Sequence, residues 1–162
     1  MKKKLISGLS ALAMLAMPLT AYADQTITEL TDPPQGDAEI TTNIDPTFTV
    51  TIPSDVTVAF GNNDTAFGTV ELTQAQLEIN AGVKVTVTTD GELNNAADAA
   101  QVIPYTLTSE GADIGKVYAQ VFTQEGESFD LTIHIEDADW NSAYAGSYSD
   151  TVVFDVEYVV SN

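Results

Sequence analysis

The chain has 162 residues, 24 acids against five lysines, no arginine, one histidine and no cysteine, for a formal charge of −19. So negative a surface is repelled by phosphate backbones and anionic headgroups, which argues against nucleic-acid binding. Without cysteine there is no thiol nucleophile, no Cys-ligated zinc and no disulfide, so an exported fold of this composition rests on its apolar core.

Lys2, Lys3 and Lys4 open the chain, an apolar stretch runs from Leu5 to Leu19, and Ala21 and Ala23 stand at −3 and −1 of a cut before Asp24. This three-part layout predicts a secretory signal peptide over residues 1–23. Its apolar part is too short for a membrane span, and no later segment is a better candidate. The expected location is therefore secreted or cell-surface, through the periplasm if the cell is Gram-negative. Removing 23 residues from 162 leaves 139, carrying two lysines against 24 acids, a net −22. That length suits one domain with its own core.

Residues 24–38 are polar and contain Pro33, Pro34 and Gly36, so an extended leader is expected. From Glu39 a single domain is expected to run to Asn162, and period-two alternation dominates it. Phe48, Val50 and Ile52 share one face, as do Val56, Val58 and Phe60. "GNNDTAFG" reads as a turn-rich joint, and "LTQAQLEIN" fits neither period and is compatible with a brief helix. Val83, Val85 and Val87 then alternate with Lys84, Thr86 and Thr88, and "NNAADAAQ" reads as a loop with at most one helical turn. Ile103, Tyr105 and Leu107 form the next apolar face, and Phe129, Leu131, Ile133 and Ile135 another. Last comes a long strand in which Tyr148, Val152, Phe154, Val156, Tyr158 and Val160 share one parity, broken only by Asp150. Eight or so short one-faced strands predict an all-β, antiparallel two-sheet sandwich. Trp140 is expected to plug one end of its core, and Tyr148 to be a corner tyrosine whose hydroxyl ties to nearby backbone.

"AGSYSDTVVFDVEY", following a Trp and preceded by "TVTIPSDVTV" and "IPYTLTSEG", resembles secreted bacterial surface domains of the immunoglobulin-like or pilin-like sort. Spore coat protein U-type domains, chaperone–usher pilins and Gram-positive WxL-type surface proteins end in a comparable loop and alternating strand. The chain departs from them in two ways: Asn141 and Ser142 follow Trp140, so the Trp-x-Leu motif is absent, and it cannot form the disulfide common in pilins. The resemblance implies a non-enzymatic cell-surface or extracellular domain.

Asp137, Asp139 and Asn141 form a D-x-D-x-N run that would suit Ca²⁺ oxygens. Ser142 stands where an EF-hand needs Gly, and Tyr148 where it needs Glu, so a solvated loop is the preferred reading. Trp140, Tyr144 and Tyr148, with Asp139 and Asn141, also describe a sugar-binding patch, although only Tyr144 looks free for a ligand. His134 should point outward, opposite Ile133 and Ile135, with no nucleophile motif beside it. Lys84 should face solvent, leaving Lys116 as the better candidate for a Lys–Asn isopeptide link. No catalytic, cofactor or metal residues are assigned. The expectation is a secreted or cell-surface structural or adhesive sandwich without catalytic activity, partnered by other surface-protein subunits or a host or cell-wall glycan. The alternative is an extracellular carbohydrate- or calcium-binding module.

Overall fold

The structure, a computed structural model, describes Thr28 and residues 36–160. The signal peptide and most of the leader lie outside the described residues. The chain divides into two units, Met1–Asn43 and Ile44–Asn162. In the first, Thr28 and residues 36–43 are exposed and form neither helix nor strand. All regular elements among the described residues belong to the second.

Strand β1 spans Thr47–Thr51, β2 Asp64–Gln76 and β3 Ala81–Thr88. Short strands β4 (Glu92–Asn95), β5 (Val102–Pro104), β6 (Thr106–Ser109) and β7 (Ala112–Asp113) follow. Then come β8 (Val117–Phe122), β9 (Ser128–His134), helix α1 (Asp137–Ser142), β10 (Tyr148–Ser149) and β11 (Val153–Val160). They build three antiparallel sheets: β1-β2-β9-β6-β7, β11-β3-β8 and the small β10-β4-β5. The fold is an all-β sandwich.

The alternation fixes which face turns inward. Val70 and Leu72 of β2, Phe129, Leu131 and Ile133 of β9 and Leu107 of β6 join Val83, Val85 and Val87 of β3 and Phe122 of β8 in one buried cluster. Each such fully buried side chain stabilises the fold by about 1.5–3 kcal/mol relative to leaving it in water. The opposite parity carries polar groups. Lys84, directly across from Glu157, forms a 2.6 Å ion pair with it on the outer face, as its parity requires.

Several expected elements differ. "GNNDTAFG" is not one long joint: the turn is confined to Gly61–Asn63, and Asp64 already pairs with His134. "LTQAQ" continues β2 rather than forming a helix, because β1 lies alongside and Gln76 pairs with Thr47. Conversely, "VTVAF" is not a strand. Pro53 has no N–H for a ladder, and its ring sits against Gly68, where an added Cβ would come within 3.0 Å of it. Gly68 has φ +139 at the β2 bulge, a conformation that accommodates this contact. None of residues 53–58 makes a backbone–backbone hydrogen bond among the described residues. Phe60 is consequently exposed rather than buried.

The closing strand is also not continuous. It breaks at residues 150–152 into β10, in the small sheet, and β11, in the sheet with β3. Parallel breaks occur at Thr89, between β3 and β4, and at Tyr105, between β5 and β6. These three crossings between sheets meet at one place.

Candidate functional site

That meeting point is a polar node. The Tyr105 hydroxyl donates to Asp150 Oδ2 at 2.5 Å. Thr89 Oγ1 lies 3.1 Å from the same oxygen and 2.5 Å from the Tyr105 hydroxyl, and it accepts the Gly91 N–H at 2.9 Å. Thr89 and Tyr105 are buried and Asp150 is half-buried. Burial, reinforced by the neighbouring Asp150 carboxylate, pushes the Tyr105 hydroxyl well above the usual phenol range. The phenol therefore stays a donor at neutral pH. Asp150 sits at an inward position because it shares the parity of Tyr148 and Val152, and the node answers the polarity that this position would otherwise leave uncompensated.

The node lies on the wall of an open cleft of about 960 Å³. Residues 52–58 and Phe60 line it on one part of the chain, and residues 143–146 and 148–152 on another. Phe67, Ile103, Ile133 and Phe154 contribute apolar surface. The lining includes two carboxylates, Asp55 and Asp150, and no Lys, Arg or His. The unpaired segment 53–58 is the reason for this space, since a regular strand there would have continued the sheet edge.

Trp140 is 8% exposed and belongs to the core cluster, with Nε1 donating to the Asn62 carbonyl at 3.2 Å. It is thus a core plug. Phe60 meets it edge-on at 5.5 Å between centroids. Tyr148 is half-buried, and its hydroxyl donates to the Tyr144 carbonyl at 2.9 Å, the local tie expected of a corner tyrosine. Tyr144 is exposed and lines the cleft. Asp139 and Asn141, expected beside these rings, are not in the cleft lining, and Phe60 takes their place.

The D-x-D-x-N run is helical, not a loop. Residues two apart on a helix point to different sides, so Asp137, Asp139 and Asn141 do not converge. Asp137 Oδ1 instead accepts from Asn63 Nδ2 at 2.9 Å. Among the described residues no group of three or more acidic or imidazole side chains is arranged to hold a metal ion.

His134 points outward as expected. Its Nδ1 lies 2.7 Å from Asp64 Oδ1, the residue directly across on β2, and its Nε2 3.5 Å from Glu136 Oε1. The Asp64 hydrogen bond, helped by Glu136 and opposed by desolvation, raises its pKa above the ordinary imidazole value. Lys116 is exposed in the turn before β8 and makes no side-chain bond, so the buried Lys–acid–Asn arrangement of an isopeptide is not formed there.

Asp150, Tyr105, Thr89 and Phe60 are the site residues that the sequence reading left out. Asp150 did leave a signal, as the one acid on an otherwise apolar parity. Fold and cleft together define a class: an all-β sandwich, not closed into a barrel, with an aromatic and acidic cleft beside an edge strand. Compared with known proteins, the chain matches no family model and no curated protein.

Proposed function

We propose that this chain is a secreted or cell-surface structural or adhesive sandwich domain without catalytic activity, joined to other surface subunits by strand addition. The observation that carries the reading is the condition of β11. It is the outer strand of its sheet, so one row of its backbone groups is unpaired among the described residues. Its inward-facing side chains are also incompletely covered: Val156 is 41% exposed and Val160 52%. An edge with unpaired backbone and uncovered apolar side chains is a template for a further strand.

The same chain carries a segment with a strand's alternation. In "AEITTNI" the residues Ala38, Ile40, Thr42 and Ile44 share a parity, and Ile40 and Ile44 are 98% and 63% exposed. Supplied by a second copy, this segment would bring main-chain hydrogen bonds to β11 and apolar side chains to its open face. Deleting residues 24–45 tests the reading. A folded, soluble monomer derived from a self-associating parent is the expected outcome. Loss of folding would assign the segment to its own core, and a parent that remains monomeric at high concentration would remove the assembly reading.

A further inference from the structure

The Asp150 carboxylate is only half used by the fold. Oδ2 takes both hydroxyl contacts, whereas Oδ1 has no hydrogen-bond partner. Among the described residues no unpaired side-chain oxygen of a residue that is not exposed is fully buried, so Oδ1 remains accessible, and Asp150 lines the cleft. A carboxylate on a largely apolar wall gains from a cation. The described lining of the cleft supplies none: it has no Lys, Arg or His, and adds a second carboxylate, Asp55.

The other feature of the cleft is its rings. Phe60 and Tyr144 are 82% and 69% exposed, while Trp140 and Tyr148 lie deeper in the lining. Exposed aromatic side chains beside uncompensated carboxylates suit an alkylated ammonium, whose methyl groups pack on ring faces while its charge is attracted by the ring quadrupole. The overall charge of the chain favours the same sign of ligand. An anion would meet repulsion from both carboxylates. The volume of about 960 Å³ accommodates a small molecule.

We propose that this cleft binds a small organic cation, an alkyl-substituted ammonium held by Asp150 Oδ1 and the rings of Phe60 and Tyr144. The site is independent of strand addition at β11, since it uses Asp150 and the loop residues rather than the β11 backbone edge.

Trp140 is the sole tryptophan, so its indole N–H gives a single resonance at the cleft wall. The full-length mature chain would be titrated with choline and, separately, with its neutral isostere 3,3-dimethyl-1-butanol at matched ionic strength. Nα-acetyl-lysine amide in a third titration reports whether a lysine side chain serves as well as a free quaternary ammonium. Choline is expected to shift the resonance saturably, with a dissociation constant of about 1 mM or tighter, and the isostere at least about tenfold more weakly. Phe60→Ala and Tyr144→Ala, both at exposed side chains, should each weaken choline binding about tenfold. Asp150→Asn should abolish the preference for choline over the isostere. Equal binding of the isostere, or no saturable shift with choline, would overturn the proposal. So would unchanged choline affinity in an Asp150→Asn variant that retains the parent circular dichroism spectrum. If that variant does not fold, the two ring variants and the isostere decide the matter.

Discussion

Tyr105→Phe removes one oxygen atom and leaves the ring in the core. The lost hydroxyl is the 2.5 Å donor to Asp150, at the point where three chain segments cross between sheets. A hydrogen bond to a charged acceptor contributes about 1.5–3 kcal/mol. Asp150 is half-buried and can recruit water in place of the phenol, so the lower part of that range applies, about 1.5–2 kcal/mol. For a unit of this size the loss corresponds to a fall in Tm of roughly 5–10 °C. Urea unfolding followed by Trp140 fluorescence measures it, Trp140 being buried against Phe60 in the native state. Thr89→Val and the Tyr105→Phe/Thr89→Val pair complete a cycle. Because both hydroxyls address the same Asp150 oxygen, their effects should be non-additive by more than about 0.5 kcal/mol. A Tyr105→Phe variant within about 0.5 kcal/mol of the parent would show that the node does not hold the crossings together.

Phe154→Asp, which places a charge against Phe67 in the half-buried inner row of β11, should cost about 2–3 kcal/mol in urea unfolding. Thr151→Asp, at an exposed position of opposite parity, should cost less than half as much, and equal effects would contradict the assigned core face. The raised His134 pKa makes its contribution to stability fully present below the ordinary imidazole value of 6.5 and lost as pH rises through the higher folded value. Thermal unfolding should therefore show a decline in stability across this interval that is absent in His134→Gln, and identical pH profiles would refute the Asp64–His134 linkage. Intact mass of the chain recovered from the medium or periplasm should correspond to a start at Asp24; a mass that retains Lys2 to Lys4 would refute the cleavage site.

The core was legible wherever side-chain parity alone decides burial. Val83, Val85 and Val87, and likewise Phe129, Leu131, Ile133 and Ile135, lie inward as their spacing requires. Parity does not report pairing, however. The run from Ile103 to Leu107 alternates without interruption although the chain changes sheets at Tyr105, because an inward residue stays inward across the crossing. The same holds between Tyr148 and Phe154. Residues 56–60 have a strand's alternation but no partner strand, and the Pro53–Gly68 contact that diverts them joins positions fifteen apart in sequence. The cleft could not be foreseen without that diversion. Its acid could have been singled out, since Asp150 interrupts an apolar row and such a position needs polar partners. Those partners, Thr89 and Tyr105, are 61 and 45 residues away, and no local pattern names them.

The most direct test of the structural role is sedimentation of the chain beginning at Asp24 over a wide concentration range, beside its Val156→Lys variant. Val156 lies on the incompletely covered inner row of β11 and is 41% exposed, so a lysine there can carry its ammonium to solvent in the isolated fold while opposing an added strand. Concentration-dependent association of the parent, lost in a Val156→Lys variant with an unchanged circular dichroism spectrum, is the expected result. A parent that sediments as a monomer throughout, or a variant that associates as strongly as the parent, would contradict assembly through β11.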